Sequence, residues 1–416
     1  VQAGPNVEEG IPYIRPTDMT DEDGVTNPAQ LLKTSSEIAA SYSRSTIRKG
    51  DLVCSIGPSF GKVMVVPPIL DGANLTQGTA RISVRTDISR KFVFWALRSK
   101  NSIVQWEASV GGATFRALNL GPLSETKLCV PPLSEQIVIA AFIDHETAKI
   151  DALIAEQENL ISLLSEKRQA TISHVVTRGL NPASTMKNSG VSWLGEVPVD
   201  WSVKRLKFLV RESVAGPYGS SLTKSMYVPA GYRVYGQQQV IADNFSVGDY
   251  YISEEKFAEM QRYQVAPDDV LISVMGTIGR AAVVPQDVAP GIINPRLVLY
   301  RVLKQLVHPK YLQVFLNNRT SQDYFSLAAQ GTTMEGLNMT SIGELEVALP
   351  PVSEQVRILD FLRSEDEEIA ALVGAAARTV TLLKERRIAV ITAAVTGQID
   401  VRRTVKLADR VEVLAA

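Results

Sequence analysis

Gly57-Pro58-Ser59-Phe60-Gly61-Lys62 has the residue types of a phosphate-binding loop, in which glycines expose backbone N–H groups to phosphate oxygens and a lysine reaches the terminal phosphates. Its spacing fails that chemistry. Three residues rather than four separate the glycines, and Val63 stands where a Ser or Thr hydroxyl would bind magnesium. Asn294-Pro295-Arg296-Leu297 lacks the second proline and the aromatic ring of the Asn-Pro-Pro-aromatic motif of adenine methyltransferases, and no glycine-rich cofactor loop lies upstream. The three histidines, His145, His174 and His308, are too far apart for a metal-ligand spacing. No HExxH or paired-cysteine motif occurs. No catalytic residue, metal site or cofactor is therefore assigned to this chain. It is expected to show no methyltransferase, nuclease or ATPase activity by itself.

A chain of 416 residues, 45% of them apolar, is long enough for two or three domains with proper cores. Cys54 and Cys129 are too few for a disulfide framework and suit a reducing, cytoplasmic setting. The longest apolar run, Ile137–Ile143, ends at Asp144, far short of a membrane span. No signal-peptide pattern opens the chain. The net charge is −1, which gives no global hint of nucleic acid and only permits local basic patches.

The chain does contain a repeat. Pro131-Pro132-Leu133-Ser134-Glu135-Gln136 returns 219 positions later as Pro350-Pro351-Val352-Ser353-Glu354-Gln355, and 19 of the 50 pairs from Pro131/Pro350 to Leu180/Ile399 are identical. Gly112, Thr114, Leu118 and Asn119 fall on Gly331, Thr333, Leu337 and Asn338. Further upstream the register slips, but residues 51–67 still resemble residues 269–285. Each half is a globular part followed by a helix, and such a protein is expected to meet a two-part ligand or partner.

Ser134 after two prolines, with Glu135 in the first turn, reads as a helix N-cap. From there Ile143, Glu146, Ile150, Leu153, Gln157, Leu160 and Leu164 step by three and four, as do Leu362, Glu365, Ile369, Leu372, Ala376, Thr379 and Leu383. At about 1.5 Å per residue each helix spans roughly 66 Å. That is too long for an ordinary core helix, so the two stripes are expected to pack on each other. A twofold relation between the halves makes this coiled coil antiparallel, with the globular domains at opposite ends.

The expected class is α+β, with two strand-rich globular domains, a pair of long helices and a pseudo-twofold repeat. The expected boundaries are a first domain at 1–133, a helix at 134–180, a polar linker at 181–192, a second domain at 193–352, a helix at 353–398 and a tail at 399–416. Strands are expected at Leu52–Ile56, Val63–Val66, Ala80–Val84, Val270–Val274, Ala281–Val284 and Leu297–Val302, and shorter helices at Phe92–Arg98 and Pro309–Asn317. Trp193–Leu209 has no counterpart in the first half, and no Met opens the chain. The N-terminal few tens of residues are therefore expected to be missing, either trimmed from the chain or left out of it.

Together these features resemble the specificity subunit of type I restriction–modification systems. The resemblance rests on the repeated Pro-Pro-Leu-Ser-Glu-Gln motif leading into a long helix and on the Gly-x-Thr-x-x-x-Leu-Asn stretch before it. It rests also on Ser189-Gly190-Val191-Ser192-Trp193-Leu194-Gly195-Glu196-Val197-Pro198, followed by Trp201 and Lys204-Arg205-Leu206. It covers nearly the whole chain and departs at the start, where the first half lacks the Trp-Leu-Gly opening. The resemblance implies two target recognition domains, each reading one half of a bipartite site in double-stranded DNA, and helices that set the gap. It implies two adenine-N6 methyltransferase subunits, which bind S-adenosylmethionine, docked on the chain. It implies an ATP- and magnesium-dependent translocating endonuclease subunit for cleavage, and no membrane.

Base readout needs Arg, Lys, Asn, Gln and hydroxyls on loops that reach groove edges. In the first domain these are Arg15, Thr17 and Asp18 after a strand, then Ser59, Phe60 and Lys62, then Thr114, Phe115 and Arg116. In the second they are Gln237, Gln238 and Gln239, then Thr277, Ile278 and Arg280, then Thr332, Thr333 and Met334, with Tyr218, Ser220, Ser221 and Lys224 on a further loop. Gly57, Gly61, Gly276 and Gly279 also fit plain hairpin turns, and Phe115 fits a core position. Two other readings compete. One is a stand-alone DNA methyltransferase, which cofactor binding by the pure chain would reveal. The other is a coiled-coil scaffold without DNA function, against which two dissimilar loop-bearing domains speak.

Overall fold

A computed structural model describes residues 6–20, 24–57, 59–110, 117–329 and 336–401. The chain forms two compact units, 1–159 with 376–416 and 160–375. In the first unit the strands are β1 (Ile11–Ile14), β2 (Lys33–Thr34), β3 (Leu52–Ser55), β4 (Val63–Val65), β5 (Asn74–Leu75) and β6 (Thr79–Ile82). Its helices are α1 (Ser36–Ser41), α2 (Arg90–Leu97), α3 (Lys100–Ser109), α4 (Leu120–Ser124) and the first part of α5 (Leu133–Arg178). The strands make two sheets, ordered β2-β1-β5 and β4-β3-β6. β1 runs antiparallel to β2 and parallel to β5. All of β3 is buried. Side chains alternate across a strand, so Leu52 and Cys54 enter a core with Phe92, Trp106 and Ile143. Val53 enters another with Ile14, Ile47 and Leu70. Burial pushes the Cys54 thiol up to about 12, which leaves it an inert core residue.

The second unit repeats this plan and adds to it. Its strands are β7 (Met186–Asn188), β8 (Glu196–Pro198), β9 (Ser202–Arg205), β10 (Val210–Ala215), β11 (Tyr232–Tyr235), β12 (Tyr251–Ile252), β13 (Val270–Ser273), β14 (Ala281–Val283), β15 (Gly291–Ile293), β16 (Leu297–Val302) and β17 (Glu346–Leu349). Its helices are α6 (Gln237–Ala242), α7 (Glu254–Glu259), α8 (Pro309–Asn317), α9 (Arg319–Ala329), α10 (Met339–Gly343) and the first part of α11 (Val352–Val395). The sheet β12-β11-β15 has the same senses as β2-β1-β5, and β16-β13-β14 matches β6-β3-β4. β10 extends the latter sheet, and β17 pairs with β9. The stretch expected as a linker, 181–192, contains β7, which pairs with β8.

The two long helices are antiparallel within each unit. In the first, Arg387 forks onto Asp151 and Lys384 lies 3.8 Å from Glu158, while Ile143 shares a core with Ile391 and Ala394. In the second, Arg168 forks onto Asp366 at 2.6 and 2.8 Å, and Val176 shares a core with Ile358 and Leu362. The seam differs from the expected one at alternate positions. Ile143, Ile150, Leu164, Leu362, Ile369 and Ala376 are buried and Leu383 is half-buried, but Leu153, Leu160 and Leu372 are exposed. Thr147, Ile154 and Ile161 take the intervening places, with Asp366, Val373 and Val380 in the second helix. The stripe steps by four and then three, not three and then four. Both patterns are heptads that share every other position. α5 also starts one residue early, so Ser134 lies inside it rather than capping it.

The glutamine of the repeated motif has a structural task. Gln136 and Gln355 are 2% and 0% exposed. Gln136 Oε1 accepts from Ser89 N at 2.8 Å and its amide donates to Pro131 O. Gln355 Oε1 accepts from His308 N at 2.7 Å, and its amide donates to Pro350 O and Leu306 O. Each long helix is thus tied to the loop that opens α2 or α8. His308 Nδ1 accepts from Lys310 N at 3.2 Å and caps α8. Burial lowers the His308 pKa below its ordinary value. The neutral ring therefore stabilises the fold at pH values above the unfolded pKa, about 6.5, and that contribution is lost as pH falls through the folded value. The urea midpoint of the wild type is expected to drop between pH 7.5 and 5.5 more than that of His308→Asn, whose amide caps without titrating. Equal drops would remove His308 from the account.

Candidate nucleic-acid interface

Two loops in each unit carry most of the expected reading residues, and the backbone builds them alike. The first follows the parallel strand pair. Ile14 pairs with Leu75 as Tyr235 pairs with Ile293, which sets Arg15-Pro16-Thr17-Asp18 in the place of Gly236-Gln237-Gln238-Gln239. Both turns are closed by the side chain of their fourth residue. Asp18 Oδ2 accepts from Arg15 N at 2.8 Å, and Gln239 Oε1 accepts from Gly236 N at 2.8 Å.

The second loop is the hairpin β3–β4 or β13–β14. Ser55 Oγ donates to Ser59 O and accepts from Lys62 N. Ser273 Oγ donates to Thr277 O and accepts from Arg280 N. Gly61 and Gly279 sit at φ +96° and +74°, where a Cβ is strained. A Cβ on Gly279 would also stand 2.5 Å from the Phe325 ring. Gly57-Pro58-Ser59-Phe60-Gly61 matches the Gly-x-Ser-x-Gly spacing of a nucleophile elbow, which sequence reasoning missed. It joins two antiparallel strands, whereas an elbow needs a strand-to-helix turn.

The two loops touch in each unit. Pro16 Cγ lies against Gly57 and Gly78, and Lys62 Nζ donates to Met19 O at 2.8 Å. The Gln237 amide donates to Met275 O, and its oxygen accepts from Arg296 Nη1 at 3.4 Å. Thr17, Ser59, Gln238, Thr277 and Arg280 are exposed, as are Tyr218, Ser220, Ser221 and Lys224. The latter loop starts at Gly216, whose N donates to Leu297 O beside Asn294.

Several expected readers have other tasks. Gln239 is 2% exposed, its oxygen closes the turn and its amide donates to Val247 O. It shapes the loop and has no free edge for a base. Phe60 and Ile278 are half-buried and pack on the cores. Lys62 spends its ammonium on a backbone carbonyl, and Asp18 spends its carboxylate on Arg15. Thr114, Phe115, Arg116, Thr332, Thr333 and Met334 lie outside the described residues. Sequence reasoning missed Gln77 and Arg296, both exposed on the turns that leave β5 and β15. In the sequence Arg296 belongs only to a failed enzyme motif. Its true context, the end of a parallel strand, needs a pairing that no local signal gives.

No helix among the described residues is long and apolar enough to cross a membrane. The described residues hold no cluster of three or more His, Cys, Asp or Glu able to bind a metal ion.

Comparison with known proteins bears on the whole chain. The EcoBI type I restriction enzyme specificity subunit of Escherichia coli is 25% identical over 300 residues, 69% of this chain and 61% of that protein. The EcoKI specificity subunit of Escherichia coli strain K12 is 23% identical over 275 residues, 64% of this chain and 56% of that protein. The chain thus matches about three fifths of the length of these curated relatives. A solved chain described under complex assembly and conformational transition of the type I R-M system has 19% identity and a TM-score of 0.68, covering 92% of this chain and 90% of that one. The crystal structure of the HsdS subunit from Thermoanaerobacter tengcongensis has 21% identity and a TM-score of 0.54, covering 94% and 91%. These two likenesses establish the fold. The family model described as the type I restriction modification DNA specificity domain matches residues 5–163 and again 198–374, and with more than half of its residues so matched the chain belongs to that family.

Proposed function

We propose that this chain is the sequence-reading, non-catalytic subunit of a cytoplasmic type I restriction–modification complex. Each unit binds one half of a bipartite site in double-stranded DNA. The paired helices fix the gap and carry two adenine-N6 methyltransferase subunits, whose S-adenosylmethionine does the chemistry. An endonuclease subunit using ATP and magnesium joins them for cleavage.

The observation that carries this reading is the pair of matched loops. Corresponding side chains close both loops in each unit, Asp18 and Gln239 in the first loop and Ser55 and Ser273 in the second, while the exposed side chains differ, Thr17 against Gln238 and Gln77 near the place of Arg296. A shared frame with exchanged side chains is what two readers of different sequences require. Methylome sequencing of a host carrying the intact system tests it. The expected result is one asymmetric motif of two specific parts, with a methylated adenine in each. A single uninterrupted motif, or none, overturns the reading.

The division of labour gives a sharper expectation. Gln238→Ala or Arg280→Ala weakens recognition of one half-site by about 1–3 kcal/mol for each base that is no longer read and leaves the other half unchanged. Gln237→Ala acts on the same half by freeing Arg296. Equal relaxation of both halves, read from methylation of degenerate sites, would sink the two-reader model.

A further inference from the structure

Arg15 stands on a candidate reading loop, held by a carboxylate that is itself shielded from solvent, unlike the exposed fork of Arg85 onto Asp87. Its Nε donates to Asp18 Oδ2 at 3.0 Å and its Nη2 to Asp18 Oδ1 at 2.8 Å, a side-on fork. The Asp18 side chain is 13% exposed and also accepts from Arg15 N. The turn beneath has backbone and packing ties besides the Asp18 side chain. Asp18 N donates to Arg15 O, Thr26 N donates to Asp18 O, and Pro16 sits at the second turn position against Gly57 and Gly78. The Arg15 guanidinium is 44% exposed, and no partner for Nη1 is found among the described residues.

A guanidinium has five N–H donors in a planar fork. Asp18 takes one from Nε and one from Nη2. Of the three that remain, one on Nη1 and the second on Nη2 lie side by side on the end-on edge of the plane. That end-on pair matches the O6 and N7 acceptors on the major-groove edge of guanine. We propose that Arg15 reads a guanine in the half-site of the first unit, and that Asp18 is the positioning residue that holds its plane. This rests on the DNA-reading function proposed above. A fork held before binding loses less rotamer freedom when the base arrives. The second unit has Gly236 at the corresponding place, so its half-site has no such reader there.

The test is methylome sequencing of hosts that carry the complete complex with wild-type chain, Arg15→Ala, Arg15→Lys, Asp18→Ala or Arg15→Ala with Asp18→Ala. The first unit's half-site is the one that Gln238→Ala leaves unchanged. It is expected to contain a G·C pair at which Arg15→Ala lowers discrimination by about 5- to 150-fold, the worth of one bidentate pair. Arg15→Lys keeps the charge and loses the same discrimination, since an ammonium has no planar fork. Asp18→Ala relaxes the same base pair to a smaller degree, and the double variant is no worse than Arg15→Ala, because Asp18 acts through Arg15.

An unchanged motif in Arg15→Ala and Arg15→Lys overturns the guanine reader and leaves the proposed function standing. So does uniform loss of methylation at all sites by a variant that still folds and assembles, which marks a general phosphate or structural role. Relaxation by Asp18→Ala at a different base pair, or on top of Arg15→Ala, overturns the positioning role. A wild-type motif without two separated parts overturns the underlying reading instead.

Discussion

Adding one heptad to both long helices is expected to lengthen the gap in the recognised DNA and leave both half-sites intact. The insertion points are set by the structure. α5 passes from one unit to the other between Asn159 and Leu160, and α11 between Ala375 and Ala376. Seven residues return each side chain to nearly the same face, so the seam of Ile143, Ile150 and Leu164 against its partners keeps its register. At 1.5 Å per residue the helices grow by roughly 10 Å. That is on the order of three base pairs at about 3.4 Å each. It also turns the second half-site by roughly a quarter to a third of a DNA turn. The methylome should show the same two half-sites with a longer gap, or no methylation where the units can no longer face the groove together. A variant that folds, assembles and methylates the original spacing at full efficiency would show that the helices do not set the gap.

The heptad argument works because the helices are the most legible part of the chain. Their repeat holds for 50 residues, and the structure starts and ends both helices close to where the sequence places them. The strands of the all-antiparallel sheets are also readable, because Leu52–Ser55, Val270–Ser273 and Leu297–Val302 are apolar runs bounded by turn residues. The parallel pairs are not. β1 and β5 are four and two residues long and meet across some sixty residues of chain. Nothing local in so short a strand specifies a distant parallel partner.

The reading loops show the same limit. Glycines and hydroxyls mark where the chain turns, and Gln238, Thr277 and Arg280 do emerge exposed there. Composition cannot distribute the tasks inside a loop. Three consecutive glutamines look alike in sequence. In the fold one is exposed, one braces Arg296 and one is buried as the lock of its own turn. Asp18 and Gln239 do the same work with different chemistry, so identity alone hides their equivalence.

The seam gives the second large expectation, and it separates the two heptad readings. Ile143→Ala is expected to lower stability by about 2–5 kcal/mol, the cost of a large-to-small change that leaves a cavity. Ile143 is fully buried among Phe92, Ile139 and Ile391. Leu153→Ala is expected to change stability by about 0.5 kcal/mol or less, as at an exposed helix site, since Leu153 is 46% exposed. Alanine also has the better helix propensity. The stripe expected from the sequence, with Leu153 and Ile143 on one seam, implies comparable losses. Urea unfolding followed by circular dichroism distinguishes the two cases, with the first transition taken separately because two units need not unfold together. A loss at Leu153 as large as that at Ile143 would restore the three-then-four stripe. A loss confined to Ile143 means that Thr147, Ile154 and Ile161 complete the stripe.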